Sequence, residues 1–139
     1  MLSDIDILDE FYPLVKDLPL LAEVSGVLSN RGRPTGSDKE DVVISILAND
    51  GAGQIQKAFV NVRVYVSDLK NDVTKDWELN KQRCRKLCEL SKPLFTLKGN
   101  GWIIRETESS QRVLPSGVQF QDGHTEHFIY NKLYVEFSN

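Results

Sequence analysis

Thiols and imidazoles are scarce in this chain: its 139 residues include two cysteines and two histidines. That scarcity excludes a disulfide-stapled scaffold and a cysteine-ligated zinc module. A bilayer span needs roughly 20 apolar residues in a row. The most apolar early stretch, Leu14 to Val24, is interrupted by Lys16, Asp17, Pro19 and Glu23. A basic excess is also missing, since the net charge is −3. This counts against a protein that coats nucleic acid. The first residues, Met1-Leu2-Ser3-Asp4-Ile5-Asp6, are acidic and lack the basic start of a secretion signal. A cytoplasmic location is therefore expected. Internal repeats and low-complexity runs are absent as well.

What is present is the balance of a globular domain, 40% hydrophobic and 27% charged. The length predicts a single domain over 1–139. Ser3 can cap a first helix running to about Lys16, with Ile5, Ile7, Leu8, Phe11, Tyr12, Leu14 and Val15 on its apolar half. Pro13 predicts a kink or an end near Tyr12. Residues 17–24 read as a connector or a short extra turn. A short strand follows at Gly26–Ser29, and then a polar arm at about 30–41, rich in glycine and charge.

Val42–Leu47 is a β-branched strand, and residues 48–53 form a turn around Asp50-Gly51. Ile55–Val66 alternates strictly, with Ala58, Val60, Val62, Val64 and Val66 on one face and Phe59, Asn61, Arg63 and Tyr65 on the other. Residues 67–74 are polar connector. A second helix is predicted over Lys75–Leu94, with Trp77, Cys84, Leu87, Cys88 and Ser91 on one side and Pro93 at its end. After a turn at Lys98–Gly101 come a strand over Trp102–Val113, a loop over 114–123 and a last strand over His124–Phe137. The order α-β-β-β-α-β-β predicts an α+β fold. Its mostly antiparallel sheet has about five strands, with two helices packed on one face. The opposite face, carrying Phe59, Tyr65, Tyr130 and Tyr134 among polar residues, is a candidate partner surface.

Several segments invite a chemical reading and fail it. Gly32-Arg33-Pro34-Thr35-Gly36-Ser37 has three residues between its glycines and no lysine after the second, so it is not a phosphate loop. His124 and Glu126 point to one face of their strand and His127 to the other, which separates the histidines. The His-x-Glu pair lacks the Pro-Cys-x-x-Cys of zinc deaminases. Cys84 and Cys88 lie one helical turn apart on an apolar face, the setting of a small hydrophobe. With no nucleophile beside a base, a non-enzyme is predicted, with no cofactor and no metal.

Charge is segregated. Residues 1–24 carry six acidic side chains and one basic, a balance of −5, which leaves +2 for the rest. The second helix holds Lys75, Lys81, Arg83, Arg85, Lys86 and Lys92 against Asp76, Glu78 and Glu89. An acidic helix and a basic helix on one chain either offset each other or meet across a subunit contact.

The element order resembles the tail terminator, or tail completion, proteins and related minor tail proteins of phages and prophages. The likeness covers most of the chain: the leading helix, the arm Arg31–Asp41 entering Val42–Leu47, the hairpin to Phe59–Val66, the helix 75–94, and the closing strands. Within it, Arg33-Pro34-x-x-Ser37-x-x-Glu40-Asp41 followed by Val-Val-Ile-Ser is similar to the corresponding stretch of phage-derived proteins. The resemblance implies an assembly role: a ring, commonly hexameric, that caps the tail tube and presents a face to the head connector. It carries over no individual functional residue. The arm and the charged helix faces would be interfaces, with Arg31, Arg33, Lys39, Glu40, Arg85 and Lys86 as candidates. The partners would be further copies of the chain and other tail or head-connector proteins, met in the host cytoplasm and then in the virion tail. The alternative is a small cytoplasmic adaptor or binding module for an acidic partner or nucleic acid, using Arg31, Arg33 and the basic helix. An enzyme would need a pocket around His124, Glu126 and His127.

Overall fold

The computed structural model describes residues 1–51 and 54–138. Helix α1 (Asp4–Lys16) is capped by Ser3, whose hydroxyl accepts the Asp6 N–H while the Asp6 carboxylate accepts the Ser3 N–H. This reciprocal pair satisfies donors that the first turn leaves free. The helix continues through Pro13 to Lys16 rather than ending near Tyr12. Pro13 is exposed, so the carbonyl it leaves unpaired lies on the solvent side. Ile7, Phe11 and Val15, four residues apart, are fully buried. A single turn, α2 (Pro19–Glu23), buries Leu20.

The strands are β1 (Leu28–Ser29), β2 (Val42–Asp50), β3 (Ile55–Ser67), β4 (Leu69–Lys70) and β5 (Trp77–Glu78). After helix α3 (Lys81–Ser91) and a 3₁₀ turn (Lys92–Thr96) come β6 (Lys98–Gly99) and β7 (Trp102–Ile104). A short 3₁₀ turn (Glu106–Glu108) then leads to β8 (Ser110–Gln119) and β9 (Thr125–Ser138). The fold is α+β. The main sheet has seven strands rather than about five, in the order β1-β2-β3-β9-β7-β6, with β8 also paired to β9. It is mixed, because β1 runs parallel to β2 while the other pairs are antiparallel. β4 and β5 form a separate two-stranded ribbon.

Four local expectations change, each for a physical reason. β2 outlasts Leu47 because a bulge between Ile46 and Ala48 restores its register with β3. Of the expected turn, Ala52 and Gly53 lie outside the described residues. The second helix begins at Lys81, not Lys75. Asn71 folds its side-chain oxygen onto the N–H groups of Val73 and Thr74, and Lys75 takes a left-handed φ of 64°. That conformation cannot continue into a helix. Asn80 supplies the cap instead.

The predicted strand Trp102–Val113 is split because β9 has two neighbours along one edge. Trp102 pairs with Phe137, and Ser110 pairs with Lys132. Across the break, Arg105 N–H donates to the Tyr134 carbonyl and Tyr134 N–H to Ser109 Oγ. Finally, the expected loop 114–123 is strand as far as Gln119 despite Pro115. Asp68 N–H bonds the Thr125 carbonyl, so Thr125 and, by alternation, His127 direct their backbone groups toward β3. Pro115 faces His127, so the donor it lacks would point away from β9.

The register sorts the sheet into two faces. Val42, Ile44, Val60, Val62, Val64, Ile129, Leu133 and Val135 form one core with Ile7, Phe11, Val15 and Leu20 of the first helices and Cys84, Leu87 and Leu94 beyond. Burying one such valine stabilises by about 2 kcal/mol. Phe11 stacks on Trp102 with ring centroids 4.7 Å apart, closing the end of this core. Both helices serve this face. Val43, Phe128 and Tyr134 are buried on the other face and stand outside the cluster.

Candidate functional site

The arm is folded down by Arg33 and Ser37. Arg33 donates from Nε to Asp41 at 2.9 Å, from Nη1 to Glu126 at 2.6 Å and from Nη2 to the Lys39 carbonyl at 2.8 Å. Its guanidinium lies 3.9 Å from the centre of the Tyr65 ring. Ser37 adds a hydrogen bond to Asp41 at 2.6 Å, and the other Asp41 oxygen accepts the Val27 N–H. Burial alone would raise the Asp41 pKa. The Ser37 hydroxyl, Arg33 and the Val27 N–H outweigh it and hold the carboxylate below its ordinary value. Burial alone would likewise depress Arg33, but Glu126 and Asp41 raise it. Gly26 lies against Asp41 so closely that a Cβ there would collide with the carboxylate and backbone. Glu126 keeps one buried oxygen, Oε2, without a hydrogen-bond partner.

A second clamp joins the arm to the helices. Arg83 grips Glu40 with Nε and Nη2, both at 2.7 Å, and Glu23 with Nη1 at 2.6 Å. Lys86 reaches Glu23 at 2.9 Å. The hydrogen bonds from Arg83 are the largest cause that holds the Glu23 carboxyl down.

The six interface candidates are thus divided. Arg33 and Glu40 are bound within the chain, and Lys86 is bridged to Glu23. Arg31, Lys39 and Arg85 are exposed. Arg31 lines a cleft of about 520 Å³ together with Asp9, Tyr12, Leu28 and Asn30. Arg83, which organises the second clamp, was not among the candidates. In the sequence it stands only as one of six basic residues of the second helix, and its partners Glu23 and Glu40 lie far away along the chain.

The outer sheet face collects aromatics and cations. Phe59 packs edge-on against Tyr134 at 5.0 Å, and Tyr65 lies 5.8 Å from Phe128. Lys132 sits over Phe59 at 4.3 Å, and Arg63 over Phe128 at 4.9 Å and Tyr130 at 5.7 Å. Across three strands, Arg63, Tyr130 and Arg112 are direct neighbours. Asn61 lies beside them with 1% exposure, donating to Ser45 at 2.8 Å. Asn61 Oδ1 and Arg63 Nε are buried without a hydrogen-bond partner. The parity of Arg63 and Lys132 was readable in the sequence. Their meeting with Arg112 depends on β8 pairing with β9.

The histidines are separated. His127 bonds Asp68 at 2.6 Å on the core side, and Asp68 also accepts from Thr125 at 2.5 Å. His124 stacks on Phe120 at 4.2 Å and pairs with Asp122. Glu126 belongs to Arg33. Cys84 is 4% exposed, and burial pushes its thiol up to about 11. Among the described residues no group of three or more His, Cys, Asp or Glu side chains is placed to hold a metal, and no helix is long and apolar enough to cross a membrane.

The class these observations define is an α+β domain with one helix-covered sheet face, one aromatic and cationic face, and an arm tied down by arginine clamps. No protein-family model matches the chain, and a search of curated proteins finds no match.

Proposed function

We propose that the chain is a structural subunit of a phage or prophage tail, resembling tail terminator proteins, and that it works by associating with copies of itself and with tail or connector proteins. The observation that carries this proposal is the display of opposite charges that are not paired within the chain. Asp4, Asp6, Asp9 and Asp17 on or beside α1 are exposed, and none forms an ion pair among the described residues. Arg112 on the outer sheet face is exposed, and neither it nor its neighbours Arg63 and Lys132 form an ion pair among the described residues. Complementary surfaces on one chain favour head-to-tail contacts, which close into rings when the rotation allows. The resemblance to tail terminator proteins makes that assembly a homohexameric ring at the end of a tail tube.

The test combines neighbouring genes with assembly. The chain is co-expressed with the tail-tube protein encoded nearby, and the tubes are viewed by electron microscopy. Ring-shaped density at the ends of tubes of limited length supports the proposal. Tubes that neither retain the chain nor change in length overturn it. So does a gene neighbourhood without capsid, portal or tail genes.

A further inference from the structure

Three cations surround Tyr130 on the outer sheet face: Arg63 and Arg112 as its cross-strand neighbours and Lys132 two residues along β9. None of the three forms an ion pair among the described residues. The acids of the same face are already engaged, Asp41 and Glu126 by Arg33 and Glu136 by Arg105. The Arg63 guanidinium lies over the Phe128 and Tyr130 rings, and its Nε is buried without an acceptor among the described residues. Phe59, Tyr65 and Tyr130 are half-buried and contribute apolar area. Aromatic side chains flanked by arginine are the composition of interface hot spots.

We propose that this face receives the acidic face of α1 from a second copy of the chain. The occupant follows from charge and from layering. The exposed carboxylates of Asp9 and Asp17 form no ion pair among the described residues, and exposed Ile5 supplies an apolar contact beside them. Helix α1 packs on the opposite face of the sheet, so the two surfaces of one chain cannot meet. A second copy brings them together, seating its helix over exposed Arg112 and the half-buried Phe59, Tyr130 and Lys132. Carboxylates there would accept charge-assisted hydrogen bonds from guanidinium N–H groups of Arg112 and Arg63. Helix α3 is the poorer receptor, because Arg83 and Lys86 are neutralised by Glu23 and Glu40. The contact is heterologous, and this inference deepens the proposed self-association by naming its two surfaces.

Sedimentation velocity across a concentration series at low salt tests it. Wild type should associate. Arg112→Glu/Lys132→Glu and, separately, Asp9→Lys/Asp17→Lys should each weaken association at least tenfold. An equimolar mixture of the two variants should form heterodimers, because each restores one complementary pair. Arg112→Glu alone, at an exposed position, guards against a folding defect, and circular dichroism checks every variant. Arg85→Glu on α3 should leave association unchanged.

A wild type that stays monomeric overturns the inference. So do reversals without effect, or a mixture of folded variants that stays monomeric. Loss of association in Arg85→Glu alone would move the contact to α3, leaving the tail-subunit proposal standing. Failure of tube capping with intact self-association would remove that proposal and not this one.

Discussion

Arg33 and Glu126 lie 93 residues apart in sequence and meet at 2.6 Å, tying the arm to the start of the last strand. Arg33 is 16% exposed and Glu126 1%, so the pair is largely shielded from water. Removing one partner leaves a buried charge without compensation. Arg33→Ala should destabilise by about 3 kcal/mol. Arg33→Lys should recover little, because an ammonium cannot hold Asp41, Glu126 and the Lys39 carbonyl in one planar fork. Urea denaturation followed by circular dichroism checks both.

The depressed pKa of Asp41 carries a pH signature. A carboxyl held low in the folded state adds stability that is fully present above its unfolded value, about 3.9. That stability is lost as pH falls through the folded value. The stability gap between wild type and Asp41→Asn should therefore be constant from pH 7 to about 5 and close below about pH 4. A gap that does not change in acid would contradict the Asp41–Arg33–Ser37 arrangement.

Burial places Cys84 with a thiol near 11 and also pushes Cys88 up. At pH 8 the folded protein should react slowly with an alkylating reagent at both positions, Cys84 the slower because it is more buried. Unfolding in guanidinium should bring both to the rate of a free cysteine. Mass spectrometry of peptides after timed alkylation reads each site.

Gln56 is fully buried and holds the N-terminal segment. Its amide donates to the Leu2 carbonyl at 2.7 Å and to Asn49 at 2.6 Å, and its oxygen accepts the Leu2 N–H at 2.8 Å. Gln56→Leu keeps the volume and removes all three bonds, for a loss of about 2 kcal/mol. Hydrogen exchange at Leu2 should accelerate more than exchange in β9, since the anchor is local.

Much of the framework was legible because it rests on local repetition. The valines of β3 at every second residue identified the core face, and Ile7, Phe11 and Val15 the buried side of α1. The false steps occurred where a neighbour decides. Lys75 and Trp77 have helical spacing with Cys84, yet Asn71 turns the chain and Trp77 joins the ribbon with Lys70. Pro115 and Gly117 signal a loop, but the edge of β9 accepts them because the missing donor faces outward. The site was legible only in parts. Arg33, Glu40 and Asp41 were visible as charges in an arm, whereas their partners Glu126 and Arg83 are distant in sequence.

The sequence by itself determined the core-facing alternation of β3, that a helix starts after Ser3, and that negative charge gathers in the first 24 residues. Those properties depend on composition and on spacings of two to four residues. The tertiary structure alone decided which charges are neutralised and which stay available. Arg33 and Arg83 look like Arg63 and Arg112 in a sequence. They differ because strand order and register bring carboxylates to the first two, whereas Arg63 meets the Phe128 and Tyr130 rings and Arg112 lies exposed. Ion pairing acts over a few ångströms, so it follows from which segments are neighbours in the fold.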